Sequence, residues 1–282
     1  MRFALLAALG IVATGAKDSP DDLPLFVVER SRVIWPQRCA RSESRLPSHV
    51  ESRLRTELGE RGIFVGAGRV EEVGFGPTEC LSGECGGGQV AVPLAVSESE
   101  RHGIVLPPGR VPVSAIHPLV LVGIEGGDPD GLRPGLKTPP EPPPPCGEPP
   151  PDGPARSPAS GRLITCLSYA EASGALGVQV QGRGELQGNG YARYELVRFR
   201  LVERRELRRV EGPWHDQPRG RGSHLPVPVA VLPAARPPEV RLVWLRREGI
   251  CCPSAASAWM TDVGEHAREG PRHVAGFGQA CD

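Results

Sequence analysis

The stretch DPDGLRPGLKTPPEPPPPCGEPPPDGPARS, residues 128–157, divides the chain, and the rest is read outward from it. Twelve of its 30 residues are Pro, with runs at Pro142–Pro145 and Pro149–Pro151. Proline fixes φ and has no N–H to donate, so such a stretch neither ladders into a sheet nor winds into an α-helix. It reads as an extended, polyproline-like spacer reaching up to about 3.1 Å per residue. Cys146 sits inside it, and a bridge to a folded module and a bridge to another chain are both open.

Toward the N-terminus, residues 17–127 read as a small α+β module. Leu25 to Val28 and Val33 to Trp35 have the apolar, β-branched character of strands. Ser48-His49-Val50-Glu51 has the form of a capping box opening a helix. Val50, Leu54 and Leu58 recur every four residues and make one apolar stripe. Glu51–Arg55 and Glu57–Arg61 are favourable i,i+4 pairs, and Gly59 or Gly62 ends the helix. Ile63 to Val65 and Val70 to Val73 follow as strands, and Val90, Val92, Leu94 and Val96 alternate. Ile104 to Leu106 and Val111 to Val113, separated by Pro107-Pro108-Gly109, suggest a hairpin, and Leu119 to Ile124 is a continuous apolar strand candidate.

Toward the C-terminus, residues 158–282 read as a mainly β module. Leu163 to Ala172 suits a strand or a short helix. Val178 and Val180 lead into Gln187-Gly188-Asn189-Gly190 and a return strand from Tyr191, the strongest hairpin signal in the chain. Val227, Val229 and Val231 alternate, as do Val240, Leu242 and Trp244. The expected fold is therefore α+β: an α+β module and a mainly β module, disulfide-braced, on a Pro-rich linker.

Residues 1–16 read as a secretory signal. Met1-Arg2 is a basic start, Phe3 to Ala13 is an apolar run well short of the roughly 20 residues of a membrane span, and Thr14-Gly15-Ala16 offers small residues for cleavage. No other run reaches spanning length, so no membrane span is expected in the mature chain. The expected location is secreted or periplasmic. That compartment also disfavours the Pro-rich stretch as a ligand for the mostly intracellular Pro-reading domains. All eight cysteines, Cys39, Cys80, Cys85, Cys146, Cys166, Cys251, Cys252 and Cys281, follow the signal. An even number in an oxidising compartment makes each a disulfide candidate, with 105 complete pairings possible. Cys80 and Cys85, four residues apart, suggest a small closed loop. Adjacent Cys251 and Cys252 suggest separate partners, since a disulfide prefers Cα atoms about 4.4–6.8 Å apart.

The 33 Lys+Arg balance 33 Asp+Glu, which disfavours a nucleic-acid partner. Leu, Ile, Val and Phe supply about a quarter of the chain, enough for a core, while 36 Gly and 32 Pro require many turns. Seven Arg and four Glu between Tyr191 and Glu211, with Tyr194 and Phe199 interleaved, could face a polyanion, but mixed charge on a solvated β face explains them more simply. Cys252, His266, His273 and Cys281 lack zinc-finger spacing, so no metal is expected. Gly66-Ala67-Gly68 has Glu71 where a dinucleotide fingerprint wants Gly, and no cofactor is expected. His102, His117, His215 and His224 are scattered, and the four Trp residues suit core or rim positions. No catalytic motif stands out. The expected function is a non-enzymatic binding or interaction protein whose partner is a protein or an envelope component. The alternative is an extracellular hydrolase with an unrecognised site.

Overall fold

A computed structural model describes residues 23–39, 46–82, 88–96, 101–126, 162–186, 192–203, 206–210, 226–234, 239–247, 256–263 and 272–276. Among them lie seventeen strands, one α-helix and one short 3-10 turn. The protein is thus mostly β rather than α+β. The many short β-branched runs dominate, and only one stretch carries helical periodicity.

Three antiparallel sheets account for the strands. The first, the helix-side sheet, holds β1 (Phe26–Glu29), β2 (Arg32–Cys39), β3 (Arg61–Gly66), β4 (Arg69–Gly74), β5 (Glu79–Ser82), β6 (Gly88–Pro93) and β7 (Gly103–Leu106), in the order β4-β3-β7-β1-β2-β6-β5. The second, the central sheet, holds β8 (His117–Pro118), β14 (Val227–Pro233), β15 (Val240–Arg247), β16 (Ala256–Val263) and β17 (Arg272–Gly276), in the order β17-β16-β15-β14-β8. The third, the outer sheet, holds β9 (Val120–Gly126), β10 (Arg162–Ala170), β11 (Leu176–Leu186), β12 (Ala192–Glu203) and β13 (Glu206–Val210), in the order β13-β12-β11-β10-β9.

Alternation along the strands stacks these sheets. Val27, Ile63, Val65, Ile104 and Leu106 of the helix-side sheet share one core with Val229, Leu232, Val243, Ala258 and Met260 of the central sheet. The other face of the central sheet, with Val231, Leu242, Trp244 and Val263, shares a second core with Leu167, Tyr169, Val178, Val180, Phe199 and Leu201 of the outer sheet. Val243 and its neighbours Leu242 and Trp244 are all fully buried, because the central sheet is covered on both sides. Such a strand reads as a nearly continuous apolar run, as Pro228–Leu232 does. A bulge between Pro228 and Ala230 in the β14–β15 pairing lets β14 carry a residue with no N–H to donate.

The remaining face of the helix-side sheet is closed by α1 (Ser48–Leu58). Val50, Leu54 and Leu58 are its buried residues. Leu54 and Leu58 lie in a third core with Trp35, Phe64, Val90, Val92 and Val105. The stripe and the end at Gly59 are as the sequence predicts, but the start differs. The N-cap is Pro47, whose carbonyl accepts from the Val50 and Glu51 amides, and no side chain caps the helix. Glu57 accepts from Arg53 at 2.8 Å rather than pairing with Arg61, which lies in β3 and binds Glu72. Gly59, with φ 77°, ends the helix in the left-handed region where a Cβ is costly.

Two further expectations meet a different arrangement. Ile104 to Leu106 forms no hairpin with Val111 to Val113: β7 runs between β1 and β3, and Val113 is exposed in the 3-10 turn Val113–Ala115. Leu163 to Ala172 takes the strand alternative, as β10. The boundaries at residues 127 and 158 fall between adjacent strands. β9 precedes the Pro-rich stretch and pairs with β10, which follows it; β8 pairs with β14. Residues 1–16 and 128–157 lie outside the described residues.

Candidate functional site

Three of the eight disulfide candidates fall among the described residues. Cys39 ends β2 and Cys80 lies in β5, the two strands that flank β6, and they are joined to each other with Cα atoms 6.1 Å apart. Cys80 is therefore not the partner of Cys85. The chain returns through β6 between them, so the spatial neighbour across that strand wins over the neighbour in sequence. Cys166, buried in β10, is also disulfide-bonded. Cys85, Cys146, Cys251, Cys252 and Cys281 lie outside the described residues.

Beside α1 lies an open cleft of about 610 Å³, lined by Ser52, Arg55, Thr56, Gly59, Glu60 and Phe75. Helical spacing puts Ser52, Arg55, Thr56 and Gly59 on one side of the helix. Arg55 is fixed there: its Nη2 donates to the Gly76 carbonyl at 2.6 Å. Thr56 donates its hydroxyl to the Ser52 carbonyl at 2.8 Å, leaving the floor polar and small. The cleft thus offers a positioned guanidinium, hydroxyls, a carboxylate and one aromatic edge. That set suits a polar peptide or side chain better than an apolar ligand.

A second cluster bridges the central and outer sheets, between the edge strand β8 and the end of β10. His117 of β8 places Nδ1 2.7 Å from Oε2 of Glu171, just past β10. Ser173 donates its hydroxyl to the other oxygen of Glu171. The tight turn from β10 to β11 holds this geometry: the Gly174 amide donates to the Glu171 carbonyl at 3.0 Å and the Ala175 amide to Ser173 Oγ at 3.1 Å. A carboxylate on Nδ1 orients an imidazole, as general-base catalysis requires. A serine nucleophile, however, needs its hydroxyl on the imidazole, and here it is on the carboxylate. Sequence reading leaves His117 among the scattered histidines. Glu171 is 54 residues away and meets it only through sheet packing, so no local spacing could signal the pair.

The remaining charged groups brace the stack. Arg241 binds both carboxylate oxygens of Asp262, at 2.6 and 3.3 Å, with its side chain almost wholly buried. Such a bidentate pair fixes β15 against β16 more firmly than an exposed pair would. The Arg101 guanidinium binds Glu71 and lies 5.7 Å from the centre of the Phe64 ring. Glu72, bonded to Arg61, raises that guanidinium's pKa further above its ordinary value. Trp35 and Trp244 are buried and Trp259 is partly so; Trp214 lies outside the described residues.

In the basic stretch from Tyr191, Phe199 is buried with its ring 5.1 Å from that of Trp244 at 71°, so it faces the core rather than a polyanion. Among the described residues no group of three or more His, Cys, Asp or Glu is placed to hold a metal ion. Of the four residues weighed as zinc ligands, Cys252, His266 and Cys281 lie outside the described residues, and His273 falls in β17. Gly66-Ala67-Gly68 is the turn between β3 and β4. Among the described residues no helix is long and apolar enough to cross a membrane. No family model, no curated protein and no solved structure matches the chain.

Proposed function

We propose that this is a secreted or periplasmic, non-enzymatic binding protein that engages a protein or envelope component through the polar cleft beside α1. The observation that carries the reading is the Cys39–Cys80 disulfide, which braces the sheet on which α1 and its cleft rest. Structural disulfides persist in oxidising spaces, and a rigid cleft loses less entropy when a partner docks. The test is capture from the extracellular fraction of the source organism. Wild type is compared with Thr56→Arg and Ser52→Arg, two changes on exposed helix positions that fill the cleft. Loss of one captured component by both variants, with unchanged circular dichroism, supports the reading. Equal capture by all three sinks it.

A second reading, an extracellular hydrolase, is favoured by the His117–Glu171 contact alone. It predicts an activity on a broad ester, amide and glycoside panel that His117→Ala abolishes. No activity, or one indifferent to His117, removes it.

A further inference from the structure

Resting on the reading of the cleft beside α1 as the docking site, we propose that it is a carboxylate receptor. It takes the side chain of an Asp or Glu in an extended segment of the partner.

Arg55 sets this chemistry. Arg32, Arg53, Arg61, Arg101 and Arg241 each bind a carboxylate of the chain itself: Glu79, Glu57, Glu72, Glu71 and Asp262 in turn. Arg55 binds none among the described residues: its Nη2 donates to the Gly76 carbonyl at 2.6 Å and reaches Thr78 Oγ1 at 3.5 Å. Glu51 stands one turn earlier on α1, at the spacing that favours an ion pair. The pair that this spacing predicts does not form. Arg55 turns instead to the Gly76 carbonyl and lines the cleft. Its Nε and Nη1 donors bond no acceptor among the described residues. A half-buried guanidinium with donors to spare and no counter-ion gains most from a carboxylate, whose two oxygens match its planar N–H groups.

The anchor is itself held. The Gly76 amide donates to the Pro93 carbonyl at 2.8 Å, tying the chain after β4 to the end of β6. A Cβ on Gly76 would stand 3.1 Å from Pro93 Cγ, so glycine permits this approach. The guanidinium is thus in place before a ligand arrives, and little entropy is lost in fixing it.

The rest of the cleft selects among anions. Ser52, three residues before Arg55, brings a hydroxyl to the same side of the helix. Gly59, where α1 ends, and Glu60 also line the cleft. They add negative character, from the carbonyl end of the helix and from a carboxylate. Arg55 balances one negative charge but not the two of a phosphate. The peptide N–H groups beside an acidic side chain supply donors to Glu60. Because the cleft is open, a chain can run through it, which favours a side-chain carboxylate over a chain end.

The full mature chain, isotope-labelled for NMR, is titrated with N-acetylated heptapeptides of Gly and Ser. Four are amidated and carry a central Glu, Gln, Lys or phosphoserine; a fifth has no central charge and a free C-terminal carboxylate. The signals followed are the Arg55 Nε–H, assigned through Arg55→Lys, and the Ser52, Thr56 and Gly59 amides. The Glu peptide should shift all of them and bind at least about tenfold tighter than the Gln peptide. Arg55→Gln should erase that gap, with circular dichroism unchanged. Equal binding of the Glu and Gln peptides, or tighter binding of any other, overturns the proposal. Glu60→Gln serves if Arg55→Gln does not fold: it should tighten the Glu peptide about two- to fivefold and leave the Gln peptide unchanged. An unchanged or weaker Glu peptide overturns the proposal too. If another peptide shifts the cleft amides in place of the Glu peptide, the cleft docks a partner of other chemistry and only this proposal falls. If no peptide shifts them, this proposal falls, and unchanged capture by Thr56→Arg brings down the reading of the cleft with it.

Discussion

The helix-side sheet and the outer sheet each turn one face away from the central sheet. On the first, Trp35, Val90, Val92 and Val105 meet Leu54 and Leu58 of α1. On the second, Ser168, Gln179 and Gln181 surround Cys166. Both faces are buried and both carry a disulfided cysteine, but only the first is apolar. An apolar face can be closed by any amphipathic element of the right size, since burial is non-directional. A polar face can be closed only by chain that answers its donors and acceptors, because each buried group left without a partner costs about 1–3 kcal/mol. Closure of the first face is therefore a matter of area, and closure of the second a matter of matching.

The largest test acts on the fastening of the apolar side. The bond from Cys39 to Cys80 closes a loop of sequence separation 41. For such a loop the chain-entropy model gives about 4 kcal/mol. Cys39→Ser with Cys80→Ser should lower stability by roughly 2–4 kcal/mol in urea unfolding. A loss under about 1 kcal/mol would mean that apolar burial alone holds that edge.

Next in size is α1 itself. Leu54 is fully buried between the helix and the sheet. Leu54→Ala should cost about 3 kcal/mol, as transfer and cavity terms add. An unchanged urea midpoint would show the helix to be dispensable, and the contrast between the two faces would collapse.

How far these layers can be read from sequence follows from the same contrast. α1 is legible because one helix face is wet: Val50, Leu54 and Leu58 stand out against Glu51, Arg53 and Glu57. The strands of the strong hairpin, β11 and β12, are legible for the same kind of reason, since Val178 and Val180 alternate with polar Gln179 and Gln181. What alternation cannot give is the depth of a layer. Val229 and Val231 look like one inward face, yet the bulge sends the first to one core and the second to another. Nor does it give long-range partners. β9 reads as a strand, but its pairing with β10 lies across the Pro-rich stretch, and His117 meets Glu171 only because two sheets stack. The Cys39–Cys80 pair is hidden likewise, because the strands on either side of β6 are set by sheet order and not by spacing.

A smaller effect is expected inside the helix-side sheet, where β3 and β7 touch through glycine. A Cβ on Gly103 would stand 2.3 Å from the Val65 carbonyl oxygen, and one on Gly66 would stand 2.4 Å from that of His102. The Phe64 ring covers both positions, filling the space the two glycines leave. Gly103→Ala should push β7 from β3 and cost about 2 kcal/mol, within the usual range for overpacking. Thermal unfolding checks it; a neutral result would mean that the strands yield easily and that the apolar layers tolerate misfit as well as they tolerate exchange.

The smallest effect tests the polar face, and its sign matters more than its size. Gln181 is buried with Oε1 in no hydrogen bond. Replacing it by Leu keeps most of the volume and removes an acceptor that has lost water and gained nothing. Gln181→Leu should therefore be neutral or stabilising by up to about 1 kcal/mol. Gln181→Ala separates shape from polarity, since it removes the same acceptor but leaves a void, and it should be the less stable of the two. If instead Leu costs more than about 1.5 kcal/mol, the amide group answers the chain above it through its Nε2 donor strongly enough to outweigh the idle oxygen. The face would then discriminate among covering chains by donor and acceptor pattern, which the face beneath α1 has no means to do.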